Sequence, residues 1–181
     1  MQVQKAQDVH DFWKLLVAGE ETITFHDDDE LRRLGVSENQ LRDPNYVKAS
    51  GRIEGIDEFD DRLFQIAPAE VDVTSPQLRL LYKCFWLACE DAGYDPRKLP
   101  GRVGVFVAGS DDFEWYRRTV MIPASFGDAY QNFTLATNHF LGTRLSYHFD
   151  LTGPSFSALS GCSSSLLTAH LAVQEIGRAH V

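Results

Sequence analysis

Ser155-Phe156-Ser157-Ala158-Leu159-Ser160-Gly161-Cys162-Ser163-Ser164-Ser165-Leu166-Leu167-Thr168-Ala169-His170-Leu171-Ala172 runs from a short apolar segment into a small-residue turn, then a thiol, three serines and a helical pattern. That order predicts a strand over residues 156–160, a turn, and a helix from Ser163 onward with Cys162 at its N-terminus. Unpaired backbone N–H groups and the helix dipole stabilise negative charge at such a place. A cysteine held there is favoured as thiolate, the nucleophilic form. The spacing alone also fits a buried, inert core thiol, the commoner role of a single cysteine among small residues. The serines suit helix capping. Ser160-Gly161-Cys162-Ser163-Ser164 is not the G-x-S-x-G elbow of a serine hydrolase.

Outward from this stretch, Gly153-Pro154 reads as a turn and residues 133–149 as a helix with Leu135, Phe140, Leu141, Leu145 and Tyr147 apolar. Residues 103–108 form a nearly continuous apolar run, the pattern of a strand buried on both faces. Residues 109–127 read as irregular. The clearest helix spans residues 76–92: Pro76 opens it, six apolar positions follow on more than one face, and Gly93 stands past its end. Residues 9–18 form an amphipathic helix stopped by Gly19. His26-Asp27-Asp28-Asp29-Glu30 reads as a solvated acidic run without the fixed spacing of a calcium loop. Helices alternating with buried strands give an α/β class.

Several of these segments together resemble the β-ketoacyl synthases, the condensing enzymes of polyketide and fatty-acid synthesis, with wording closest to modular polyketide synthases. Gly153-Pro154-Ser155, Cys162-Ser163-Ser164-Ser165-Leu166 and His170-Leu171-Ala172 match the active-site segment of that family. The departures are Leu159 for Asp, Ser160 for Thr and Gly161 for Ala. Upstream, Asn45-Tyr46-Val47-Lys48-Ala49-Ser50-Gly51, Ile56-Asp57-Glu58-Phe59-Asp60 and Phe64-Gln65-Ile66-Ala67-Pro68-Ala69-Glu70 follow in the family order. So do Ser75-Pro76-Gln77-Leu78-Arg79 (Ser75 replacing Asp), Glu90-Asp91-Ala92-Gly93-Tyr94 and Val103-Gly104-Val105-Phe106-Val107-Ala108-Gly109.

The resemblance implies the N-terminal half of a thiolase-like fold, with the first strand and the C-terminal half missing from these residues. It implies that Cys162 takes an acyl chain as a thioester and that its backbone N–H is an oxyanion-hole donor. A malonyl-type extender on an acyl carrier protein would then lose carbon dioxide and attack, a decarboxylative Claisen condensation. The two histidines that assist this step in the family lie in the second half, so these residues alone are not expected to condense anything. The complete domain would be a cytoplasmic homodimer, with the strand before Cys162 contributing to the interface. No metal and no organic cofactor is implied, since the phosphopantetheine belongs to the carrier protein. Two alternatives stay open: a non-catalytic ketosynthase-like partner domain, and a thiolase-like enzyme acting on coenzyme A thioesters. Among the other histidines, His10, His26 and His148 read as surface or loop residues and His139 as structural. His170, eight residues past the thiol and so about 12 Å along a helix axis, is expected to pack behind the site.

Composition agrees with a cytoplasmic α/β domain. The chain has 181 residues, 44% of them hydrophobic, with a net charge of −9, which provides for a core and gives nucleic acid no basic surface. No apolar run nears the roughly 20 residues of a membrane helix, and no signal peptide opens the chain. Three cysteines, Cys84, Cys89 and Cys162, read as reduced thiols without zinc spacing. Residues 1–175 are read as a partial ketosynthase domain. Ile176-Gly177-Arg178-Ala179-His180-Val181 departs from the family pattern and is what a common sequencing-adapter string would encode, so it is read as adapter read-through, which makes His180 no candidate. Those codons in uninterrupted source DNA would refute that reading.

Overall fold

A computed structural model describes residue 6, residues 8–121 and residues 129–178. The packing divides into two units, Met1–Ile56 and Asp57–Val181. Residues 122–128 of the segment expected to be irregular, and residues 179–181 of the expected read-through, lie outside the described residues.

In the first unit, Asp8 starts α1 (Val9–Ala18) by accepting the Asp11 N–H, and Gly19 ends it in the left-handed region at φ 64°. Strands β1 (Thr24–Phe25) and β2 (Ala49–Ser50) pair antiparallel, Thr24 opposite Ser50. Between them lie α2 (Asp28–Arg33) and α3 (Glu38–Leu41), which bury Leu31 and Leu41. The acidic run lies at the surface as expected, with Asp27 and Asp29 exposed, and it opens a short helix. Asp27 caps α2 through the Glu30 N–H, and Asp28 accepts from Lys48 Nζ at 2.6 Å.

The second unit is built on α6 (Pro76–Asp91). Ser75 caps it by accepting the Leu78 N–H and is itself 2% exposed, so the serine in place of the family's aspartate performs the capping. Ahead of it come α4 (Asp61–Phe64) and α5 (Pro68–Val73). Strand β3 (Val105–Val107) pairs parallel with β4 (Ser155–Ser157), Phe106 opposite Phe156. Helices α7 (Phe113–Tyr116), α8 (Ala129–Ala136) and α9 (Leu141–His148) lie between the strands, and α10 (Ser164–Arg178) follows β4. Helix α9 packs on both strands, α6 packs on α9, and α10 packs on β3.

Alternation along β3 sorts the two faces. Val105 joins Leu78, Leu135, Leu141 and Leu145 in the core, with Val107 packed against it, whereas Phe106 stacks on Phe156 at 5.6 Å and faces α10 residues Ala172 and Ile176. The burial expected on both faces is therefore realised on one. Phe156 is 52% exposed because α10 covers that face only in part. Under α6, Phe59, Phe64, Tyr82, Phe85, Trp86 and Phe149 form a cluster of edge-to-face and stacked rings. Arg79, 8% exposed, donates to the Thr74 and Val71 carbonyls and lies over the Trp115 ring, so its buried donors have acceptors.

Three expectations need correction. The single helix over residues 133–149 is two helices joined by a 3₁₀ turn at Asn138–Phe140. Thr137 is extended there, and the Leu135 carbonyl accepts the Ser75 N–H instead of continuing the helical ladder. Residues 113–121 are not irregular but form α7 and one π-turn, Arg117–Met121. His148 is not a surface residue: its ring stacks on Tyr82 at 4.8 Å and meets Phe149 edge-on.

Burial, with Arg97 nearby, holds His148 below the usual histidine pKa of 6.5. A depressed histidine pKa means the unfolded chain binds the proton more readily. Stability is thus full above about pH 6.5 and is lost as pH falls through the folded pKa. His148→Gln is expected to flatten this acid-side loss, read as the denaturation midpoint between pH 7.5 and 5. An unchanged slope in the variant would remove His148 as its source.

Candidate active site around Cys162

The entry to β4 is fixed before the thiol is reached. The Gly153 N–H donates to the Val103 carbonyl at 3.0 Å, and the Val105 N–H donates to the Pro154 carbonyl at 2.7 Å. A side chain at Gly153 would place its Cβ 2.3 Å from the Val103 oxygen, so the chain passes there only as glycine. On the other side of β4, Gly142 of α9 approaches closely and donates its N–H to Ser157 Oγ at 3.1 Å. The ladder ends with the Ala158 N–H on the Val107 carbonyl at 2.9 Å. The strand is thus shorter than the expected residues 156–160.

Beyond it the chain turns sharply. Ser160 has φ −138° and ψ 37°, Gly161 has φ 61°, and a 3₁₀ turn over Gly161–Ser163 leads into the 15 residues of α10. Glycine suits the left-handed step because it has no Cβ to crowd the carbonyl. Cys162 occupies this turn and is exposed, a free thiol; Cys84 and Cys89 are free as well, Cys89 buried with its pKa raised by that burial. Cys162 thus lies at the surface of the described residues, outside their packed core. Its backbone N–H makes no bond to another part of the chain among the described residues.

Two of the three serines after the thiol tie back to the two residues that precede it. Ser163 Oγ donates to the Ser160 carbonyl at 2.9 Å, and Ser164 Oγ donates to the Gly161 carbonyl at 2.7 Å while accepting the Ser160 N–H at 2.8 Å. At the same end of the parallel strands, the side-chain amide of Gln77 donates to the Ser110 carbonyl at 2.6 Å and accepts the Ser110 N–H, and Asn138 donates to Asp111 at 3.1 Å. Gly109 fits between Leu141, Gln77 and Asn138. Gln77, Asn138, Gly142 and Ser157 were not singled out from the sequence. Gly109 and Gly142, small residues beside apolar runs, were the available signal for a close approach.

His170 lies on α10 and is exposed, contrary to the expectation that it packs behind the site, and His139 is exposed in the 3₁₀ turn and so not a packed structural residue. His26, read as a surface or loop residue, lies in the loop between β1 and α2 with its side chain only 8% exposed. Its Nδ1 meets Glu30 Oε2 at 3.0 Å and its Nε2 meets Ser50 Oγ at 2.8 Å. Ser50 sits within the β1–β2 ladder opposite Thr24, not on a turn that would present it to a reactant, so this relay clamps β2 to α2.

Comparison with known proteins converges on one family. The sequence matches the family described as Beta-ketoacyl synthase, N-terminal domain, over residues 1–181. It is 37% identical over 175 residues to polyketide synthase PksN of Bacillus subtilis, covering 94% of this chain and 3% of that protein. It is 36% identical over 174 residues to pikromycin polyketide synthase component PikAII of Streptomyces venezuelae, covering 92% of this chain and 4% of that protein. Among solved structures, ketosynthase twelve from the bacillaene polyketide synthase of Bacillus amyloliquefaciens superposes with a TM-score of 0.84 at 36% identity, over 98% of this chain and 31% of that chain. The chain thus spans a small part of each relative. Among the described residues, no helix is long and apolar enough to cross a membrane. With an α/β framework matching the N-terminal half of a thiolase-like fold, the chain belongs to the β-ketoacyl synthase family, as its N-terminal domain.

Proposed function

We propose that Cys162 is the nucleophile of a polyketide-type ketosynthase and that it accepts an acyl chain from the phosphopantetheine of an acyl carrier protein. The observation that carries the proposal is the exposed thiol in the turn between β4 and α10, at the start of a long helix, in a chain of this family. In the acyl-transfer step, Cys162 Sγ bonds to the thioester carbon and the carbon–sulfur bond to pantetheine breaks. The carrier thiol leaves with the proton that Cys162 gives up. The tetrahedral oxyanion formed on the way needs donors, and the free Cys162 N–H suits that role.

In the complete protein, a malonyl-type extender on a carrier protein then loses carbon dioxide. Its carbanion attacks the Cys162 thioester and breaks the bond to Sγ, giving a β-ketoacyl chain on the carrier and leaving Cys162 as its thiolate. This makes the protein an acyltransferase of polyketide chain elongation, working as a cytoplasmic homodimer with a carrier-protein partner. No metal or organic cofactor takes part in the scheme.

The donor class is tested by offering the same acyl group on a carrier protein and on coenzyme A and following the mass of the protein. The expected result is faster transfer from the carrier, abolished by Cys162→Ala. Faster transfer from coenzyme A would favour a thiolase-like enzyme instead, and a Cys162 that reacts with neither donor would favour a non-catalytic domain.

A further inference from the structure

We infer that Ser164 positions Cys162 for acyl transfer, an inference that rests on the reading of Cys162 as the acylated residue. Three serines follow the thiol, and only the middle one is buried: Ser164 is 8% exposed, whereas Ser163 and Ser165 are exposed. Its hydroxyl is used in both directions. Ser164 Oγ accepts the Ser160 N–H at 2.8 Å and donates to the Gly161 carbonyl at 2.7 Å. The backbone N–H of Ser164 also reaches the Gly161 carbonyl. Ser164 therefore closes a ring across the two residues that precede Cys162, from a position two residues after it. A helix-capping serine does something different: it sits before the helix and accepts an N–H of the first turn.

The ring holds a backbone that would not hold itself. Gly161 stands at φ 61° with open space where a Cβ would be, so side-chain crowding does not enforce the turn. Glycine has more alternative conformations than any other residue. Leu159, just ahead of the turn, is 65% exposed and gives little anchorage. Beside the Ser164 N–H on the Gly161 carbonyl, serine hydroxyls hold the turn, and Ser163 contributes from the exposed side, through the Ser160 carbonyl and Ser160 Oγ. Because the Cys162 Sγ and N–H are both carried on this turn, a shift in it moves nucleophile and oxyanion donor together. Displacement of about 1 Å costs on the order of 100-fold in a reaction that depends on near-attack geometry.

The test compares Ser164→Ala, Ser164→Thr and Ser165→Ala with the wild-type chain. A short acyl-pantetheine thioester is the donor, with transfer followed by intact mass over a range of donor concentrations. Ser164→Ala is expected to lower the saturating rate at least about tenfold while the half-saturating concentration holds. Ser164→Thr, which keeps the hydroxyl, is expected to stay within about threefold of wild type, as is Ser165→Ala. Alkylation by iodoacetamide, which needs only an accessible thiol, is expected to stay near the wild-type rate in Ser164→Ala. A variant that had lost its fold would instead expose buried Cys89 to the reagent. The Thr variant tests the inference even if the Ala variant does not fold, because a tenfold loss with the hydroxyl present overturns it. An Ala variant that transfers at the wild-type rate also overturns it. A wild-type chain that takes no acyl group on Cys162 defeats the nucleophile reading, which is a different failure.

Discussion

Gly153→Ala is expected to destabilise the second unit by about 3 kcal/mol or more, the upper end of what overpacking costs. The added Cβ would lie 2.3 Å from the Val103 oxygen, 2.4 Å from the Val103 carbonyl carbon and 2.6 Å from the Gly104 nitrogen. These are backbone atoms, so no side-chain rotation relieves the overlap. The strands must part at the point where the Gly153 N–H bonds Val103 and the Val105 N–H bonds Pro154. Because β4 leads directly into the Cys162 turn, lost register should also slow acyl transfer at the thiol. The control is Gly177→Ala on α10, where the new Cβ meets nothing within 4 Å. It should be neutral or stabilising by up to about 1 kcal/mol, the helix preference for alanine over glycine. Denaturant midpoints by circular dichroism decide it, and a Gly153→Ala protein within about 0.5 kcal/mol of wild type, the scatter of neutral substitutions, would contradict the packing described.

Leu78→Ala should cost about 3 to 5 kcal/mol, the range of buried leucine truncations. Leu78 is 1% exposed on the first turns of α6, within the cluster that contains Val105, Leu135, Leu141 and Leu145. It thus joins the longest central helix to β3, α8 and α9, and rings and strands on several sides would have to move to fill the cavity. Leu166, 77% exposed on α10, supplies the contrast. Leu166→Ala should change stability by less than about 0.5 kcal/mol, as surface substitutions do. Equal losses in the two variants would mean that the core is not centred on α6.

What was legible in the sequence is what local chemistry dictates. Pro76 and Gly93 bracket α6 because proline fits only a helix's first turn and glycine readily ends one, and the structure places the helix at Pro76–Asp91. The apolar run around Val105 is a strand, and the turn before α10 presents Cys162 as the residue order foretold. What was hidden depends on partners distant in sequence. The break at Thr137 follows from Ser75, far earlier in the chain, taking the Leu135 carbonyl. His148 reads as polar in a helix end, but α6 brings Tyr82 beneath it, and an aromatic face makes a packing surface of the imidazole. Ser164 looks like one of three interchangeable capping serines until its burial and its two-way hydrogen bonding are seen.

The central claim is that Cys162 is the residue that carries the acyl chain. It is tested most directly by incubating the chain with a short acyl-pantetheine thioester and locating the adduct by peptide mass spectrometry. The predicted result is one acyl group, on Cys162, released by neutral hydroxylamine as a thioester should be and absent from Cys162→Ala. An adduct that persists in Cys162→Ala, equal labelling of Cys84, or no adduct at all would contradict it.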